Sequence, residues 1–213
     1  MAGVNNETKN VSSAKGIAGG YWFTAPLGTT LPTAIDGTLD TKFVNQGFLS
    51  EDGISFSDEK DVEDQTDLNG EKVDSATTEI SKGMTLTYLE VKKSAQAEQY
   101  GEANVTDSNG VLDVKDTGED LPHRCGVFKG VLKNGRKMMI VVPDCQLSEL
   151  GDLQVGGGEL FARECTYNLY KDATLGCYKH FIYESTETTA AAKAETKAET
   201  TAAAKAETKA SDA

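Results

Sequence analysis

Nine carboxylates crowd one short stretch of the 213-residue chain and are its first candidates for chemistry. Glu51, Asp52, Asp58, Glu59, Asp61, Glu63, Asp64, Asp67 and Glu71 stand against a single base, Lys60. Calcium, a hard cation held by carboxylate and carbonyl oxygens, is the natural ligand to test. An EF-hand loop starting at Asp61 requires Asp or Asn at its third and fifth positions and Gly at its sixth, where this chain has Glu63, Gln65 and Thr66. The pattern fails. The stretch reads instead as a solvated loop or, more sharply, as a surface built to repel polyanions.

The other reactive residue types are sparse. Cys125, Cys145, Cys165 and Cys177 form no C-x-x-C pair, and only His123 and His180 are available to join them as metal ligands, neither at ligand spacing. The cysteines therefore read as small core residues. Neither histidine has an acid or nucleophile at a suggestive spacing, and a lone imidazole supports no mechanism. Gly156-Gly157-Gly158 would cradle a phosphate only between a strand and a helix; a strand is expected after it, so the run reads as a glycine-rich hairpin or loop. The G-x-S-x-G, H-E-x-x-H and P-loop signatures are missing. No catalytic, cofactor-binding or metal-binding residue is assigned, and a non-enzyme without a cofactor is expected.

The elements that must carry these residues are mostly strands. All seven Phe, all seven Tyr and Trp22 fall between Tyr21 and Tyr183, and Asp52-Gly53, Asn69-Gly70, Asn109-Gly110 and Asn134-Gly135 punctuate that span at intervals that suit strands. The strongest local signal is Asn134-Gly135, expected to join CGVFKGVLK to RKMMIVV through a two-residue type I′ loop. Pro143 is expected to end the second of these strands. Met84–Lys93, Glu159–Lys171 and Cys177–Tyr183 read as further strands, and Ser94–Tyr100, stopped by Gly101, as the one short helix. Met138–Val142 is apolar on both faces; covering the second face calls for a helix or another subunit.

Charge and composition set the organisation. With 34 Asp+Glu against 21 Lys+Arg the formal charge is −13, which argues against gripping nucleic acid through its phosphates and against an anionic membrane surface. The longest apolar run, Met138–Val142, is far short of the roughly 18 residues of a spanning helix. The opening MAGVNNETKNVSSAK lacks the basic and apolar regions of a secretory signal, so a soluble protein made in a cytosol is expected. Three parts follow: a polar N-terminal arm (1–18), a β domain (19–185) and a low-complexity tail (186–213). The tail repeats ETTAAAKAETKA without change, offers only Ala as an apolar side chain and sets like charges at i,i+4, so a solvated, disordered segment is expected.

The order of segments adds a resemblance. KGIAGGYWFTAPLGTTLPT, then LDTKFVNQGFLSEDGISFS, then MTLTYLEVKKS and YGEANV, and finally VFKGVLKNGRKMMIVVPDCQLSELGDLQVGGGELFARECTYNLY is similar to the major tail protein of long-tailed phages with non-contractile tails, from Lys15 to Tyr183. The APLGTTLPT entry, the GFLSEDG turn and the IVVP segment leading to GDLQVGGGELF are its most specific pieces. The resemblance implies a β-sandwich or barrel of two antiparallel sheets with one short flanking helix. It further implies hexameric rings stacked into a tube, assembled in host cytoplasm, that passes the genome in transit without specific binding. Tape measure, tail terminator and baseplate or tail-tip proteins would be its partners, with no membrane. Part of the acidic stretch 51–71 would then line or border the lumen, or form the loop that reaches a neighbouring ring. The alternative is a monomeric β-sandwich adhesion or carbohydrate-binding module on a virion or cell surface.

Overall fold

The computed structural model describes residues 8–158 and 160–185; the tail 186–213 and the first seven residues of the N-terminal arm lie outside the described residues. In chain order the strands are β1 (Ala14–Gly16), β2 (Trp22–Pro26), β3 (Val44–Asn45), β4 (Leu49–Thr66) and β5 (Lys72–Tyr88). After the helix α1 (Lys93–Tyr100) come β6 (Val105–Ser108), β7 (Val111–Val114), β8 (Arg124–Leu132), β9 (Lys137–Leu150), β10 (Arg163–Leu169) and β11 (His180–Tyr183). The large antiparallel sheet has the order β3-β2-β8-β9-β10-β5-β4, with β1 added to β8 and β11 to β9; β6 and β7 form a second, two-stranded sheet. The mainly β expectation with a single flanking helix holds, and the large sheet stays open rather than closing into a barrel.

β9 organises the sheet. Its first half pairs with β11 (Val141 opposite His180) and its second half with β10 (Cys145 opposite Leu169), while β8 runs along its other side. Pro143 sits where the partners change, beside the register shift between Arg124 and Gly126, so a residue without an N–H costs no ladder bond there. The expected strand end at Pro143 is thus corrected: β9 continues through it to Leu150. Both faces of Met138–Pro143 are buried. One face joins the main core of Trp22, Leu86, Tyr88, Cys165 and Tyr167; the other is covered by Leu31, Leu39 and Phe43 from the irregular connection between β2 and β3. That cover comes from the same chain, without the helix or second subunit that the apolar pattern called for.

The turns differ from expectation in an instructive way. The hairpin between β8 and β9 forms, but through a 3-10 turn at Lys133–Gly135 closed by the Leu132 amide donating to the Arg136 carbonyl (2.7 Å), with Gly135 at φ 77. A longer loop ending in a left-handed glycine replaces the type I′ turn. The tight two-residue loop occurs instead between β6 and β7, where Asn109 (φ 53) and Gly110 (φ 75) are both left-handed. Helix α1 ends as its sequence dictates, with Gly101 at φ 90 and its amide bonded to the Ala97 carbonyl. Gly126 is required for a different reason: a Cβ there would lie 2.3 Å from the Trp22 ring.

Candidate functional site

The acidic stretch is one limb of a long two-stranded hairpin. β4 and β5 pair from Leu49/Tyr88 out to Thr66/Lys72, and the turn between them is built by Asp67. Its carboxylate accepts from the Asn69 and Glu71 amides (2.9 and 2.8 Å), its carbonyl accepts from Gly70, and Gly70 adopts φ 82. Those amide bonds, the one from Glu71 foremost, hold the Asp67 carboxyl below its ordinary value. β5 is paired with β10 only over Gly83–Tyr88, so beyond Lys82 the two strands pair only with each other among the described residues. The 13 residues from Lys82 to Gly70 carry the hairpin about 40 Å past the sheet at ~3.3 Å per residue. From Ser57 to Ser81 every residue is exposed except Asp67, which is half-buried. Asp52-Gly53, expected as a turn between strands, is a bulge inside β4 between Leu49 and Ile54.

Register sorts the charges onto two faces, because opposite residues in an antiparallel pair share a face. One face carries Glu59 opposite Ser81, Asp61 opposite Glu79, Glu63 opposite Ala76 and Gln65 opposite Asp74. That makes five carboxylates and no base. The other carries Phe56 opposite Met84, Asp58 opposite Lys82, Lys60 opposite Ile80 and Val62 opposite Thr77. Its acids are paired: Asp58 with Lys179 (2.7 Å) and Lys82 (3.0 Å), Asp64 with Lys72 (2.6 Å). Lys179, then Lys82, keep the Asp58 carboxyl below its ordinary value. Of the nine acids singled out in the sequence, Glu59, Asp61 and Glu63 meet on the cation-free face. Asp58 and Asp64 lie on the paired face, Asp67 makes the turn, Glu71 follows it, and Glu51 and Asp52 stay near the bulge at the base. Asp74 and Glu79 were missed; the signal was Asn69-Gly70, which folds KVDSATTEIS back alongside the stretch.

A second charged cluster lies under α1. The Glu98 carboxylate accepts from the Thr24 hydroxyl (2.5 Å) and the Arg124 guanidinium (2.5 Å), and Gln46 donates to Thr24 (2.6 Å). Burial pushes the Glu98 carboxyl above its ordinary value, against the pull of Arg124. Beside it Trp22 donates to the Tyr88 hydroxyl (3.2 Å), which shares a hydrogen bond with Tyr167 (3.1 Å); burial raises both phenols well above their ordinary value. This cluster pins the helix to the sheet.

The remaining candidates stay apart. Cys125, Cys145 and Cys165 are buried free thiols and Cys177 is half-buried. Burial raises Cys125 to about 11 and Cys165 to about 12, so both stay protonated and unreactive at neutral pH. His123 meets Asp144 (2.6 Å) and the Tyr170 ring (4.6 Å), a pairing invisible in the sequence because 21 residues separate the partners. His180 opens β11 opposite Val141. Gly156-Gly157-Gly158 lies in the loop between β9 and β10, all three at positive φ, and among the described residues the next element is the strand β10 rather than a helix that could hold a phosphate. Among the described residues no group of His, Cys, Asp and Glu is arranged to hold a metal ion, and no helix is long and apolar enough to cross a membrane.

The profile of a family described as phage tail tube protein matches residues 7–194. No curated protein matches the chain.

Proposed function

The chain belongs to the phage tail tube protein family, a structural component of the virion tail, and from that premise we propose that six copies close into a ring and that rings stack into the channel through which the genome is ejected into the host. The observation that carries this reading is the projecting β4–β5 hairpin, exposed from Ser57 to Ser81 except at Asp67 and bearing one face with five carboxylates and no base. A channel for DNA must let phosphates pass without counterion-release binding, and a carboxylate face repels them. The hairpin's reach also suits contact with a neighbouring ring. Tape measure, terminator and baseplate or tail-tip proteins fit as the other components, with assembly in the host cytoplasm. In this reading residues 19–185 form the assembly unit, the arm 1–18 orders against an adjacent subunit, and 186–213 decorates the tube exterior.

Negative-stain electron microscopy of the purified protein tests it. Rings or hollow tubes of uniform bore are expected. A persistent monomer with affinity for a glycan would overturn the reading in favour of a surface-binding module. A map of an assembled tube with Glu59, Asp61 and Glu63 entirely on the outer wall would remove the lumen role.

A further inference from the structure

The two faces of the β4–β5 hairpin are unequal in more than charge. The paired face exposes Val62 (49%) and Ile80 (48%), and at its base the Phe56 ring meets Phe181 edge-on at 6.0 Å. Phe181 in turn stacks on Tyr183 at 6.2 Å, and both rings are partly open to solvent. Apolar side chains therefore recur from β11 onto the projecting strands, interrupted by the Asp58–Lys82 pair. The charges of this face are Lys60, Lys72, Lys82 and Lys179 against Asp58 and Asp64, four bases against two acids, an excess of two positive charges on a chain of −13.

We infer that this apolar, locally positive face is seated on a second copy of the chain, while the face of Glu59, Asp61, Glu63, Asp74 and Glu79 stays in solvent. The inference rests on the tube reading and adds to it which side of the hairpin is the contact. Charge selects the occupant: another copy is acidic overall, so it attracts the face with surplus lysines and is repelled by the one with five carboxylates. Desolvation selects the same side. Covering the paired face removes Val62, Ile80 and the aromatic pair from water with Asp58 and Asp64 already in ion pairs and one cation, Lys60, outside them, whereas covering the other would strip water from five carboxylates. Among the described residues no other strand pairs with the hairpin beyond Lys82.

Two doubly substituted full-length chains decide it. Val62→Glu with Ile80→Glu is expected to lower the mass of tubes recovered by sedimentation at least tenfold while the melting temperature of the unassembled subunit stays unchanged; Asp61→Asn with Glu63→Gln is expected to assemble as the parent does. Hydroxyl-radical footprinting of parental tubes against free subunits should protect Val62, Ile80, Phe181 and Tyr183 several-fold, and it remains decisive if a variant misfolds. Normal assembly of the first variant, blocked assembly of the second, or protection by DNA rather than by tube formation overturns the inference. If the parent forms tubes in those cases, only the choice of face falls; if the parent forms none, the tube reading falls first.

Discussion

Glu98 and Asp61 are both carboxylates, and the structure sets them in opposite surroundings. Glu98 lies buried between α1 and β2, with Arg124 and Thr24 on its oxygens. Asp61 stands exposed on the β4–β5 hairpin, directly opposite another acid, Glu79. In the buried cluster a charge is tolerated because partners are fixed in place, and losing one partner leaves the rest desolvated. On the hairpin water does the solvating, and like charges sit side by side at small cost. The same residue type thus serves cohesion in one region and repulsion in the other.

The largest effect that would break this contrast is at Glu98. Glu98→Ala removes the acceptor for Thr24 and Arg124, and Arg124 Nε already lacks a protein partner. A loss of about 3–5 kcal/mol is expected, read by chemical denaturation of the unassembled subunit; a change below about 1 kcal/mol would show that the pair contributes little. The pH dependence sharpens it. Because the folded Glu98 holds its proton above the ordinary 4.5, the native state binds the extra proton in that window, and stability falls as pH rises through it. Asp58 tilts the other way: its lowered value gives stability present above the ordinary 3.8 and lost as pH falls, a small term for a half-exposed group. Glu98→Gln should remove the first slope and keep the second.

A middle-sized effect tests the apolar half of the cluster. Tyr88→Phe takes away the hydroxyl that accepts from Trp22 and bonds Tyr167, and is expected to cost about 1–3 kcal/mol by leaving buried polar groups unmet. A neutral outcome in thermal melts would mean that the indole and phenol find other partners. The smallest effect belongs to the hairpin. Asp61→Asn with Glu79→Gln is expected to raise stability by up to ~1 kcal/mol at low salt, the gain fading as salt screens the like-charge pair. A loss instead would show that these acids are held by contacts of their own.

How much of this could be read without coordinates varies by element. Helix α1 was legible because Gly101 and the residues before it act locally; the structure starts it one residue earlier, at Lys93, with no side-chain cap, and Ser94 instead donates to the Asn45 carbonyl (3.3 Å). Strand character was legible for β8, β9, β10 and β11 from their β-branched and aromatic content. The β4–β5 hairpin was not: beyond Phe56 its strands carry only the isolated large apolar residues Val62, Val73 and Ile80, so alternation of apolar residues, the usual strand signal, is absent there. The split of its acids depends on the Asn69-Gly70 turn and on the bulge between Asp61 and Val62, where Thr77 rather than Thr78 faces Val62. A one-residue slip would exchange the faces.

The sequence by itself determined the β class, the single short helix, the net charge of −13 and the concentration of acids between Glu51 and Glu71, since each depends on composition or on neighbours a few residues apart. Only the tertiary structure decided that the acids ride on a projecting hairpin, that Asp74 and Glu79 join them, and that Asp58 and Asp64 are drawn off into ion pairs. Cross-strand register brings together residues far apart along the chain, and whether a carboxylate repels or binds depends on which charges that register sets beside it.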